Sequence, residues 1–137
     1  MSKKKAIIIA VLVPAVIGIV FGIFKIKSYL TQINNAHQQL MESKITDVDL
    51  SKISNGAYLG SYKAFPVAVE VKVTVTDHQI TGIELLKHNN GQGGAAETIT
   101  GKVVEAQSLS VDTISGATIS SKVILKAIEN ALTGAGQ

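Results

Sequence analysis

The chain contains no cysteine, no tryptophan and no arginine. Without cysteine there are no disulfides, iron–sulfur clusters, thiolate zinc sites or lipid-modified cysteine anchors. Without arginine, a bound phosphate must be held by lysine and by backbone amides. Proline occurs only at Pro14 and Pro66, and between residues 55 and 133 the only aromatics are Tyr58, Tyr62 and Phe65. Basic clustering is also missing. From Ser28 onward 8 lysines face 10 carboxylates, so the net charge of +3 belongs to the N-terminal end. A nucleic-acid surface needs concentrated positive charge, and none is present.

What the chain has in excess is apolar sequence at one end. Ala6 to Phe24 carries no charge over 19 residues. At about 1.5 Å per helical residue this spans roughly 28 Å, close to the hydrocarbon thickness of a bilayer. Pro14 lies inside the run, where a membrane helix tolerates it. Lys3, Lys4 and Lys5 precede the run, and Lys25 and Lys27 follow it. The run exceeds the apolar core of a cleaved signal peptide, and no small-x-small cleavage pattern follows. The expectation is an uncleaved, single-pass signal anchor in contact with membrane lipid. The lysine bias places the N-terminus in the cytoplasm and the remainder outside.

The organisation read from the sequence is a tail at 1–5, a membrane helix at 6–24, a helical stalk and linker at 25–54, and a domain at 55–137. Ile26, Tyr29, Leu30, Ile33, His37, Leu40 and Met41 recur at helical spacing, extending the helix to about Lys44. The stripe suits a stalk or a contact with a partner or second copy. Thr46 to Ser54 is polar and aperiodic and reads as the linker. Gly56 to Tyr62 reads as a strand. Val67, Val69, Val71, Val73 and Val75 alternate with more polar residues, the period of a half-buried strand. Asp77-His78 is the turn to a partner strand, Gln79 to His88. Asn89 to Gly94 is a glycine-rich loop. Ala95 to Gln107 reads as a helix, Leu109 and Val111 as a short strand, and Asp112 to Thr118 as a loop. Ile119, Val123, Ile124, Ala127, Ile128, Ala131 and Leu132 share one face of a last helix ending at Gly134. The class is α+β: a small antiparallel sheet with helices packed on one face.

The segment richest in chemistry is Asp112-Thr113-Ile114-Ser115-Gly116-Ala117-Thr118-Ile119-Ser120-Ser121. It is a small-residue loop feeding the start of a helix, where unpaired amides and the dipole favour an anion such as phosphate. A plain helix cap is the alternative. A cap needs one hydroxyl, whereas Ser115, Thr118, Ser120 and Ser121 all crowd this place.

The run Asp-Thr-Ile-Ser-Gly-Ala-Thr resembles the flavinylation motif of FMN-binding domains. These occur in the C and G subunits of the sodium-pumping NADH:quinone reductase and the Rnf complex, and in stand-alone extracytoplasmic flavoproteins. The resemblance extends to Asn55-Gly56-Ala57-Tyr58-Leu59-Gly60, to Ile80-Thr81-Gly82-Ile83, and to His88 before its glycine loop. It continues through Val104-Glu105-Ala106-Gln107-Ser108 and the last helix. It implies FMN held through a phosphoester on Thr118, installed by a flavin transferase from FAD with magnesium. Ser115 and the amides of Gly116, Ala117 and Thr118 would line the phosphate. Asp112 would serve recognition or metal positioning during transfer, or hold the loop. His88 and Gly91 would flank the isoalloxazine; a strand-end histidine bonded to backbone is the other reading of His88. A stacking ring would be Tyr58, Tyr62 or Phe65.

Other patterns fail. Thr100-Gly101-Lys102 lacks the first glycine and the following hydroxyl of a phosphate loop. His37, His78 and His88 have no metal-ligand spacing. The glycines at 91–94 do not follow the strand–helix context of a dinucleotide fingerprint. No nucleophile–base–acid set is visible. The resemblance thus implies a membrane-anchored extracytoplasmic electron carrier. Its donor would be a membrane quinol or NADH dehydrogenase, and its acceptor would lie outside the cytoplasm. A cofactor-free scaffold module, or the same domain with FMN bound non-covalently, are the alternatives.

Overall fold

The computed structural model describes residues 2–89 and 94–134. It divides into two compact units, Met1–Asn35 and Ala36–Gln137. A single helix, α1 (Lys3–Glu42), carries the chain from one to the other. In the first unit its apolar side chains are exposed along nearly the whole run. By length and composition α1 could cross a membrane.

The second unit is α+β, as the sequence pattern implies. Three strands, β1 (Gly56–Ala64), β2 (Val67–Thr76) and β3 (Gln79–Asn89), form an antiparallel meander in that order. Helix α2 (Ile99–Ala106) packs on β3, and α3 (Thr118–Gly134) packs on β1 and β2. The valine alternation explains the layering. Val69, Val71, Val73 and Val75 are each at most 1% exposed and face α3, whose Val123, Ile124, Ala127 and Ile128 are fully buried. Burying each of these valines and isoleucines contributes about 1.5–3 kcal/mol. Asp77 and His78 both take positive φ, 50° and 60°, which matches the twist of a two-residue hairpin.

Gly60 sets the distance between helix and sheet. A Cβ there would lie 2.5 Å from Ala131 N and 2.7 Å from Ala131 Cβ, and nearer still to the Ala127 carbonyl oxygen. The α3 backbone therefore rests directly on β1.

Two expectations change. The helix from Ala95 to Gln107 is two pieces, a 3-10 segment (Gly94–Thr98) and then α2. Thr98 and Thr100 donate their hydroxyls to Ala95 O and Glu97 O at 3.0 Å, binding carbonyls in the tighter turns. α2 ends at Ala106, and Gln107 follows it in the left-handed conformation (φ 52°). The Gln107 side chain then acts as a strand neighbour: Ile80 N donates to its Oε1 at 2.7 Å, and its Nε2 donates to Ile80 O at 2.8 Å. Leu109 and Val111 form no strand. Leu109 is a single buried anchor whose amide donates to Asp47 Oδ1 at 3.0 Å instead of to a neighbouring strand.

Residues 43–53, polar and aperiodic over much of their length, lie fastened to this second unit. Leu40 and Ile53 are 1% and 2% exposed. Lys126 donates to Lys44 O at 2.7 Å and pairs with Glu129 at 2.7 Å. Thr46 N donates to Glu129 Oε1 at 3.3 Å. Asp47 accepts from Ser108 Oγ at 2.5 Å. His78 Nδ1 reaches Leu50 O at 3.2 Å and Ile53 O at 3.0 Å. Carbonyls only accept, so Nδ1 of His78 carries the proton.

Candidate functional site

The segment preceding α3 is a built turn. Ala117 N donates to Ile114 O at 2.9 Å, and Gly116, the third of the four turn residues, has φ +78°. That is the arrangement of a type II turn, which needs glycine at this position. Ala117 O then accepts from Ser121 N at 2.9 Å and opens the helix. Ala117 offers no side-chain oxygen, so it cannot cap the helix as serine or aspartate would. Among the described residues no acceptor meets the amides of Thr118, Ile119 or Ser120. Free first-turn donors at the positive end of a helix suit a phosphate.

The hydroxyls at this place separate by exposure. Ser120 and Ser121 are 4% and 0% exposed, while Ser115 and Thr118 are open to solvent. The Ile114 amide donates to Ser121 Oγ at 3.0 Å, so that hydroxyl is engaged. Thr118 is the first helical residue. The structure thus brings Asp112, Ser115, Gly116, Ala117 and Thr118 into one loop at one helix end. Asp112 is exposed and borders a shallow depression of about 470 Å³ shared with Lys102, Glu105, Ser110 and Val111.

His88 lies on β3 opposite Val69, on the sheet face that carries the core. Its side chain is only 3% exposed, and Nδ1 is 3.0 Å from Glu97 Oε1. A carboxylate only accepts, so Nδ1 is the protonated nitrogen in this pair. The partner is a side chain on the 3-10 segment. Gly91 lies outside the described residues. Tyr62 and Phe65 line a cleft of about 650 Å³ with Lys63, Lys87 and Asn89. That cleft shares no lining residue with the Asp112–Thr118 loop. Tyr58 donates its hydroxyl to Ser54 O at 2.7 Å.

Sequence reasoning missed Glu97 as the partner of His88 and did not separate Ser121 from the other hydroxyls. The crowding of four hydroxyls was the available signal for Ser121. Nothing in the spacing marks Glu97, because the glycine loop intervenes.

An α+β unit whose last helix starts with uncapped amides offers a place where a phosphate can be bound. Residues 66–133 match the FMN-binding domain family. The globular unit is a member of that family, and FMN is the cofactor the family binds. The chain is also 30% identical over 103 residues to the NADH:acrylate oxidoreductase of Vibrio harveyi. The match covers 73% of this chain but only 10% of that relative.

Proposed function

We propose that this chain is a membrane-tethered electron carrier with FMN esterified to Thr118, its globular unit outside the cytoplasm. The observation that carries this is Thr118 itself, an exposed hydroxyl beside free amides within a domain of the FMN-binding family. The residues present suit the group. The helix start offers donors and a positive dipole end to a phosphodiester, and the missing arginine makes those amides the natural ligands. A threonine hydroxyl is a weak nucleophile and needs a base. Among the described residues no base is bonded to the Thr118 hydroxyl, so activation falls to a separate flavin transferase using FAD and magnesium.

In this reading Ser115 and the amides of Gly116, Ala117 and Thr118 line the phosphate, and Asp112 serves the transferase. Bound flavin supplies one- and two-electron exchange, while the protein supplies attachment and orientation. Helix α1 keeps the unit at the membrane, with its cytoplasmic end set by the lysine bias. The relative's name gives it NADH and acrylate. The match spans about a tenth of that relative, and the role proposed here is that of a module passing electrons between a separate donor and a separate acceptor. A membrane quinol or NADH dehydrogenase on one side and an extracytoplasmic acceptor on the other fit that role.

The test is coexpression with a flavin transferase, followed by a denaturing gel viewed under ultraviolet light. The expected result is a fluorescent band in the native chain and none in Thr118→Ala. A yellow protein whose colour is lost on denaturation would replace the ester with non-covalent binding. A colourless native protein would refute the carrier.

A further inference from the structure

Ser121 is the group that fixes the turn. Its side chain is wholly buried, yet its Oγ accepts from the Ile114 amide, seven residues back. Ile114 is therefore held at both backbone groups. Its carbonyl accepts from Ala117 N at 2.9 Å, and its amide is tied to the first turn of α3 at 3.0 Å. Ser115 and Gly116 hang between these two closures, and Thr118 follows immediately. Of the buried hydroxyls here, Ser120 holds no such bond. We infer that Ser121 is a positioning residue for flavin transfer, holding the 114–118 turn so that Thr118 Oγ is presented to the incoming phosphorus.

This rests on the reading of Thr118 as the attachment site. In the transfer, Thr118 Oγ forms a bond to the FMN-side phosphorus of FAD. The pyrophosphate P–O bond breaks, AMP leaves with the bonding pair, and the hydroxyl proton passes to a base on the transferase. Ser121 touches none of these atoms. It acts through the fraction of chains whose turn is already closed, and the apparent rate scales with that fraction. Removing the acceptor leaves the Ile114 amide unpaired. A lost bond of this kind shifts a local equilibrium by roughly tenfold.

The experiment uses the full chain, expressed without transferase and purified in detergent, then mixed with transferase, FAD and magnesium. Ser121→Ala is expected to lower the initial rate of flavin incorporation about tenfold. The final mass should still show one FMN on Thr118. Hydrogen exchange at the Ile114 amide of the flavin-free protein should quicken by a similar factor. Ser121→Thr, which keeps the acceptor, should restore both. Thr133→Ala, a hydroxyl deletion at the other end of α3, should change neither. The inference is overturned if Ser121→Ala is flavinylated at the native rate. It is also overturned if its slower rate accompanies general loss of protection across the domain and Ser121→Thr fails to restore it. A native chain that accepts no flavin refutes the attachment site itself, a separate result.

Discussion

Replacing Gly60 by alanine tests how α3, and with it Thr118, is seated. The new methyl carbon would stand 2.5 Å from Ala131 N and 2.7 Å from Ala131 Cβ, with the Ala127 carbonyl oxygen closer. Carbon contacts are comfortable at about 3.5–4.0 Å, so the helix must retreat by roughly 1 Å. Two of the three obstacles are backbone atoms, which no rotamer change can move aside. A gap of that size forfeits up to about half of the dispersion energy of the contacts it opens. Overpacking costs about 1–3 kcal/mol, and this site belongs at the top of that range. For a unit of this size, about 3 kcal/mol lowers the melting temperature by roughly 12–24 °C. The assay is thermal unfolding of the full chain in detergent, followed by circular dichroism. Gly82→Ala is the control, since a Cβ there meets nothing within 4 Å. If Gly60→Ala melts within a few degrees of Gly82→Ala, the direct seating of α3 on β1 is wrong.

Asp47→Asn should weaken the hold on residues 43–53 by about 1 kcal/mol near neutral pH. Asp47 is slightly desolvated, which alone would raise its pKa, but hydrogen bonds from Ser108, Leu109 and Val48 outweigh this and hold it below the ordinary carboxylate value. Its contribution is therefore complete above the unfolded pKa and fades as pH falls through the folded one. Denaturant midpoints of native and Asp47→Asn proteins should differ at pH 7 and draw together under acid conditions; an unchanged gap would refute the linkage. Gly101→Ala, in the open interior of α2, should stabilise by about 1 kcal/mol, read as a rise in the same midpoint.

Much of the sheet was legible because burial in β2 follows strict alternation, and one helix face covers it. The Asp77-His78 turn was legible because two residues separate two periodic runs. The rest depended on partners far away in sequence. Leu109 looks like strand material until Asp47, 62 residues earlier, takes its amide. Ala95 to Thr98 has helical composition, but hydroxyl-to-carbonyl bonds tighten it. α3 is buried beyond its predicted stripe, at Leu125 and Glu129 as well, and residues 44–46 reach its flank at Lys126 and Glu129. At the candidate site, the residue types of the Asp112–Thr118 loop were readable from the motif. The division of labour among its hydroxyls was not, because only depth separates Ser121 from Thr118.

The fastened stretch from Ser43 to Ile53 has a practical meaning for any soluble form of the protein. Sequence alone invites a cut at its polar residues, as though a rope joined two bodies. Removing everything up to Ile53 would strip away Leu40 and Ile53 and unhook Lys126, Glu129 and His78 from the groups they hold. A protease acting on this stretch would break into the second unit. A shed version that keeps its fold has to retain the last turns of the long helix, from Ala36 on.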